Sequence, residues 1–156
     1  MSNIMKPDLV AFLAGTYALY NRTEIRDGKP VNSVAWGSGS IGIMTYTQSG
    51  YMSTTVASAD SGLLPPDLNL TYPSQEGQSD ADWAKAGKHT LSYAGPWSVQ
   101  EAVPGVPATE ESGQILHGPL TVAHIPALIA IFGGNGWISR GYHGISKSAL
   151  GRDAFG

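Results

Sequence analysis

One stretch of the sequence decides the fold: residues 41–57, which read Ile41-Gly42-Ile43-Met44-Thr45-Tyr46-Thr47-Gln48-Ser49-Gly50-Tyr51-Met52-Ser53-Thr54-Thr55-Val56-Ala57. Two runs of β-branched and aromatic residues, 41–47 and 51–57, flank the triplet Gln48-Ser49-Gly50. A three-residue connection that ends in glycine is typical of a hairpin with a type I turn and a bulge, because glycine adopts the left-handed conformation without steric cost. The stretch therefore predicts an antiparallel β-hairpin.

Further strands are predicted on both sides of this hairpin. Residues 15–26 alternate with a period of two and end at the turn Asp27-Gly28, as expected for a strand with one drier face. A second strand is expected at 91–99, with its larger apolar residues on one face. Pro96 inside that strand predicts an edge or a bulge, because proline has no N–H to donate to a neighbouring strand.

The remaining predicted elements are two more strands and one helix. The strands are expected at about 113–123 and 137–145, and the helix at 80–88, where Ser79 or Asp80 can cap its first turn. Strands do not alternate regularly with helices, so the sequence favours an all-β, antiparallel barrel or sandwich over a parallel sheet.

Composition limits the classes of function. The 156 residues fit a single domain spanning 1–156. A net charge of −3 argues against a nucleic-acid partner, and the absence of cysteine excludes thiolate metal sites and a cysteine nucleophile. The longest apolar run, Ile125 to Phe132, is too short to span a membrane, and no leader pattern is visible. We expect a soluble, cytoplasmic protein.

Four segments together resemble the lipocalin-like domain family of small bacterial and fungal proteins. They are Ala14–Leu19, the hairpin 41–53, the strand Tyr93-Ala94-Gly95-Pro96-Trp97-Ser98-Val99, and the segment His117–Pro126. The resemblance implies a small antiparallel lipocalin-like β-barrel, here with one short helix, around an apolar pocket. Some fungal members resemble cofactor-free cyclases of natural-product pathways, including those that guide a hetero-Diels–Alder step in tropolone sesquiterpenoid pathways.

The C-terminal part departs from the family pattern. The family normally ends with an arginine-containing strand, a Gly-Asp turn and a leucine-rich final strand. Residues 138–142 correspond to the first of these, but no leucine-rich strand follows. Either a partner chain completes the sheet or the C-terminus is atypical. With the low content of charge, this favours a homodimer.

The candidate catalytic residues are His117, Arg140 and Asp82. A histidine and an arginine are unusual at strand positions, and either could donate a hydrogen bond to a carbonyl or enone and so lower the barrier of a cyclisation. His117, His124 or Asp82 could act as a general base. The alternatives are a structural histidine for His117, an ion pair for Arg140, and a charge at a helix start for Asp82.

Aromatic and sulfur-containing side chains at strand positions are the candidate walls of a binding site. They are Tyr17, Met44, Tyr46, Met52, Tyr93, Trp97, Trp137 and Tyr142, together with His143. Flat, polarisable rings and adaptable methionines suit a polyene or polycyclic ligand. The alternative for each aromatic ring is ordinary core packing.

Motifs of other chemistries are missing from the sequence. No Gly-x-Ser-x-Gly elbow, glycoside-hydrolase carboxylate pair, His-x-x-x-His pair or Gly-Lys-Ser/Thr phosphate loop is present, so no metal and no cofactor is expected. The leading hypothesis is a cofactor-free cyclase or isomerase of secondary metabolism that acts on a small apolar substrate. The alternatives are a non-catalytic carrier of a hydrophobic ligand and a domain whose interior is filled by its own side chains.

Overall fold

The computed structural model describes residues 7–19, 24–27, 29–31, 33–101, 104–132 and 138–143. Within these residues the elements, in chain order, are α1 (Pro7–Leu13), β1 (Gly15–Leu19), β2 (Glu24–Arg26), β3 (Lys29–Val31), β4 (Ser40–Tyr46), β5 (Tyr51–Ser58), α2 (Asp80–Lys88), β6 (Thr90–Gln100), β7 (Ser112–His117), β8 (Val122–Ala123), α3 (Pro126–Phe132) and β9 (Ile138–His143). The main sheet has the order β1-β4-β5-β6-β7-β9, with β8 also paired to β6, and β2 pairs with β3 in a second sheet. This is the mostly antiparallel, lipocalin-like all-β fold that the sequence predicts.

The predicted hairpin is formed by β4 and β5. The Thr47 N–H donates to the Tyr51 carbonyl at 2.8 Å, and Gly50 has a φ of 85°, which only glycine adopts readily. Along β5 the side chains alternate strictly, with Met52, Thr54, Val56 and Ser58 buried between more exposed neighbours. This alternation fixes which face of the hairpin contributes to the core.

Strand β6 lies inside the sheet, and a bulge forms beside its proline. Gly118 donates its N–H to the Pro96 carbonyl at 2.8 Å, at the point where β7 has ended and β8 has not begun. Of the two sequence alternatives for Pro96, the bulge is correct and the edge position is wrong. The strand expected at 113–123 is accordingly two strands, separated by residues 118–121.

Gly95 allows this bulge to approach β6. A Cβ atom at Gly95 would lie 2.9 Å from the Pro119 carbonyl oxygen and 2.9 Å from the Leu120 Cα. Both are backbone atoms that cannot move away independently. The glycine is therefore required by the close packing of two backbones.

The helix predicted at 80–88 is α2. Ser79 is its N-cap, and the Ser79 hydroxyl accepts the Asp82 N–H at 3.0 Å. Two further short helices, α1 and α3, were not predicted. In α1 the apolar residues Leu9, Val10 and Leu13 are buried, which explains why so short a segment is helical.

The strand expected at 15–26 is also divided. Its first part is β1, and its last part is β2, which pairs with β3 in the register Glu24–Val31 and Arg26–Lys29. The turn predicted after residue 26 connects β2 to β3 and is confirmed at Asp27, whose φ is +49°.

The chain forms two compact units. The first comprises residues 1–18, 44–54 and 92–156, and the second comprises residues 19–43 and 55–91. In the second unit, Trp36 is buried and its carbonyl accepts the Ser58 hydroxyl at 3.0 Å. The Gly37–Ser40 loop is held by Asp60, whose carboxylate accepts from the Ser38 N–H at 3.1 Å.

Two kinds of feature are absent from the described residues. No helix among them has the length and apolar character needed to cross a lipid bilayer. No group of three or more histidine, aspartate or glutamate side chains among them lies close enough together to hold a metal ion.

Candidate functional site

A hydrogen-bonded histidine lies at the centre of the first unit. His117 is the last residue of β7 and has no solvent-exposed surface. The Tyr46 hydroxyl lies 2.7 Å from its Nε2, and the Tyr93 hydroxyl lies 3.1 Å from its Nδ1. Both nitrogens of the imidazole thus have a tyrosine hydroxyl as a partner. We call these three residues the Tyr–His–Tyr cluster.

Strand register brings the cluster together. His117 is directly opposite Trp97 in the antiparallel pairing of β6 and β7, so the two share one face of the sheet. Tyr93 lies on that face because it is four residues before Trp97 on the same strand. Tyr46 ends β4, and its side chain is 6% exposed. The alternation along β6 buries Tyr93 and Trp97 on one face, in line with the apolar face that the sequence predicts for 91–99.

Aromatic rings enclose the cluster. The Tyr46 and Trp97 rings are 4.8 Å apart between centroids at an interplanar angle of 55°. The Tyr17 ring meets Tyr46 edge-on, at 5.8 Å and 72°. Tilted and edge-to-face contacts of this kind are favoured by the quadrupoles of the rings. The polar cluster is therefore bordered by apolar, polarisable surface.

Trp97 is also tied to the hairpin turn. Its indole Nε1 donates to the Thr47 carbonyl at 3.0 Å, and its backbone N–H donates to the Gly50 carbonyl at 2.9 Å. Because both donors are used by the turn, Trp97 contributes its ring face rather than a polar group to the site. Thr47 was not predicted as a site residue, and its contact is made through backbone that carries no sequence signature.

The Tyr17 hydroxyl is engaged outside the cluster. It donates to the Leu13 carbonyl at the end of α1, and burial raises the pKa of the Tyr17 phenol above its ordinary value. The hydrogen bond from its hydroxyl anchors α1 to β1. Sequence reasoning missed this role because it did not predict α1.

The two predicted methionines lie in different surroundings. The Met44 sulfur lies 2.7 Å from the Tyr46 hydroxyl, and the Met44 side chain is half-buried. Met52 is buried on the inner face of β5. Met44 and Tyr17 contact Tyr46 and are more exposed than the cluster itself, whereas His117 is its fully enclosed member.

Two of the remaining predicted residues have partners of their own outside the cluster. Asp82 lies on α2 in the second unit, where it forms an ion pair with Lys85 at 3.2 Å on a partly exposed surface. His124 follows β8, and its side chain is exposed; its Nδ1 accepts the Ser92 N–H at 3.4 Å. The position of Asp82 at the start of α2 matches the alternative given for it, a charge at a helix start.

The residues predicted in the C-terminal strand are placed by backbone register alone. On β9, Arg140 is paired with Ile115, Tyr142 with Gly113 and His143 with Ser112. Ile115 precedes His117 by two residues and therefore occupies the same face of β7. The side chains of β9 and the whole of Trp137 lie outside the described residues.

The cluster is suited to moving or sharing a proton. A neutral imidazole has one N–H donor and one acceptor nitrogen, and a tyrosine hydroxyl can take either role. The hydroxyls at Nε2 and Nδ1 can therefore satisfy the imidazole in either tautomer. In surroundings of low dielectric, linked hydrogen bonds polarise and strengthen one another. A donor at the end of such a chain is stronger than an isolated tyrosine.

Comparison with known proteins gives one result. The family model described as a lipocalin-like domain matches residues 14–131, a range that includes the Tyr–His–Tyr cluster and its aromatic wall. Searches of curated proteins and of solved structures found no match. The family match covers more than half of the sequence, and the chain therefore belongs to the lipocalin-like domain family.

Proposed function

We propose that this protein is a cofactor-free cyclase or isomerase that binds a small apolar intermediate of secondary metabolism. The observation that carries the proposal is the Tyr–His–Tyr cluster: a fully enclosed imidazole hydrogen-bonded to two tyrosine hydroxyls beneath an aromatic wall. Tyr46 is the group that would touch the ligand, because it lies between the enclosed His117 and the more exposed Met44 and Tyr17.

A purely structural role explains the cluster less well. Burying polar side chains carries a desolvation cost, and apolar residues of similar volume pack a core without it. Here three polar side chains converge on one point of an otherwise aromatic region, and the enclosed imidazole makes the Tyr46 hydroxyl a better donor. This arrangement is what hydrogen-bond catalysis inside an apolar site requires.

The chemistry would be hydrogen-bond donation combined with positioning. The Tyr46 O–H would donate to a carbonyl or enone oxygen of the substrate, on which negative charge grows during a cycloaddition or related cyclisation. One well-placed donor in a water-poor site contributes about 10²–10³-fold to the rate. The Trp97 and Tyr17 rings would hold the apolar part of the substrate in a shape ready to cyclise. Arg140, the register partner of Ile115, remains the candidate for a second donor.

The test is a gene deletion in the producing organism followed by metabolite profiling. We expect a cyclised product to be lost and an uncyclised precursor to accumulate. Complementation with the wild type and with Tyr51→Phe should restore the product, whereas Tyr46→Phe should not restore the wild-type amount. Tyr51 is a matched control because it lies on the same hairpin with 55% of its surface exposed.

Two results would count against the proposal. An unchanged metabolite profile in the deletion strain would remove the enzyme assignment. If that profile were unchanged while the purified protein retained a small molecule, detected by mass spectrometry, the protein would be a carrier of a hydrophobic ligand. Full restoration by Tyr46→Phe would leave an enzyme but assign its chemistry to other residues.

A further inference from the structure

Among the described residues, two neighbours of the Tyr46 hydroxyl can accept its proton. The His117 Nε2 and the Met44 sulfur each lie 2.7 Å from the hydroxyl oxygen. If Tyr46 donates to Nε2, then Nδ1 carries the imidazole proton and donates it to Tyr93. If Tyr46 donates toward Met44 instead, then Nε2 carries the proton, and Nδ1 accepts from Tyr93. The direction of the Tyr46 O–H thus determines the tautomer of a neutral His117.

The distances favour the first arrangement. Hydroxyl donors make shorter hydrogen bonds than N–H donors do. The short contact, 2.7 Å, is at Nε2, and the longer one, 3.1 Å, is at Nδ1. These lengths fit a hydroxyl donor to Nε2 and an N–H donor from Nδ1. A thioether is only a weak acceptor, so the Tyr46 O–H donates to the imidazole nitrogen rather than to the Met44 sulfur.

We infer that His117 is a tautomer switch set by the ligand, and that the site selects molecules that present a hydrogen-bond acceptor at the position of the Met44 sulfur. Met44 is flexible and half-buried, so it can move aside for a ligand. A ketone or enone oxygen at that position would take the Tyr46 proton, whereas an alcohol would offer a weaker acceptor. This inference rests on the proposed function and names the recognised group of its substrate class.

The switch conserves protons. Both arrangements hold one proton on each tyrosine and one on the imidazole. The conversion removes a proton from Nδ1 and adds one to Nε2, and water is the co-reactant that accepts the first proton and donates the second. Tyr93 is then a positioning residue, because its O–H must turn to the deprotonated Nδ1.

The tautomer can be measured without a substrate. Long-range proton–nitrogen NMR spectra of protein with ¹⁵N-labelled histidine distinguish the two neutral tautomers, and the His117 signals are assigned through contacts with the Tyr93 ring. We expect the Nδ1–H form in the wild type and in Met44→Leu, which keeps the volume but removes the sulfur. We expect the Nε2–H form in Met44→Gln, whose amide oxygen supplies a strong acceptor at that position. The same tautomer in all three proteins, or the Nε2–H form in the wild type, would overturn the inference.

Ligand selectivity provides the second measurement. The probes are β-ionone and β-ionol, which share a carbon skeleton and differ in a ketone against an alcohol. We expect the wild type to bind β-ionone at least about tenfold more tightly, and Tyr46→Phe to lose that preference. Equal affinities in the wild type would refute the selectivity, and if neither probe binds, the NMR result alone decides. If the NMR spectra show the same His117 tautomer in all three proteins while the deletion strain still loses its product, this inference is wrong and the proposed function stands.

Discussion

Removing the Tyr46 hydroxyl is the most informative single change to the cluster. Tyr46→Phe keeps the ring, so the 4.8 Å contact with Trp97 is retained. What is lost is the 2.7 Å hydrogen bond to Nε2 of a histidine with no exposed surface. Leaving a buried polar group without its partner costs about 1–3 kcal/mol. We therefore expect the free energy of unfolding to fall by about that amount.

The assay is urea denaturation of the wild type, Tyr46→Phe and Tyr51→Phe. Tyr51 is 55% exposed, so its hydroxyl is hydrated in the folded and unfolded states. Substitutions at such surface positions usually change stability by less than about 0.5 kcal/mol. Because the chain has 156 residues, each kcal/mol also shifts the melting temperature by about 2–4 °C.

A double-mutant cycle extends this prediction to the whole cluster. Tyr46 and Tyr93 bind opposite nitrogens of one imidazole, so their contributions are linked through His117. We expect the loss in the double variant to differ from the sum of the two single losses by about 0.5–3 kcal/mol. The reasoning is refuted if Tyr46→Phe is as stable as Tyr51→Phe, or if the two losses add within experimental error.

Three further predictions concern positions outside the cluster. Gly95→Ala should lower the free energy of unfolding by about 1–3 kcal/mol, because the new methyl group would press on the backbone of residues 119–120. Gly87→Ala should instead stabilise α2, because a Cβ atom there would have nothing within 4 Å. Thermal melts of the two variants measure both effects. Ser98→Ala should raise the melting temperature, since within the described residues its buried hydroxyl has no hydrogen-bond partner, and a decrease would show that the hydroxyl is satisfied. Hydrogen bonds from Ser38 and Gly62 hold the pKa of Asp60 below its ordinary value. The Asp60 carboxylate therefore stabilises the fold at pH values above that ordinary pKa, and its contribution is lost as the pH falls through the lowered pKa. Asp60→Asn should therefore flatten the acid side of the stability–pH curve, and an unchanged curve would contradict this.

Local signals in the sequence predicted the local structure. The hairpin around Gly50 and the Ser79-capped helix α2 follow from turn and capping residues a few positions apart, and both are confirmed. The short helix α1 was missed, although Pro7 and Asp8 in its first turn are recognisable start signals. The strand predicted at 113–123 includes Pro119 and so does not show the break between β7 and β8.

The candidate site was predicted residue by residue but not as an arrangement. His117, Tyr46 and Tyr93 were all named from their strand positions, yet Tyr46 is 71 residues from His117 in sequence and Tyr93 is 24 residues away. Contacts of that range depend on the register between strands, which hydrophobic alternation alone does not set. Asp82 is different, because its partner Lys85 is only three residues away on the same helix, and such a local ion pair can be predicted from the sequence.

Conversion of the accumulated precursor by the purified protein tests the central claim most directly. The precursor would be isolated from the deletion strain and incubated with the wild type, Tyr46→Phe and Tyr51→Phe, with product followed by chromatography. We predict turnover by the wild type and Tyr51→Phe without any added cofactor, and a rate about 10²-fold lower for Tyr46→Phe. Recovery of the precursor bound but unchanged by the wild type would contradict the account and identify the protein as a binder.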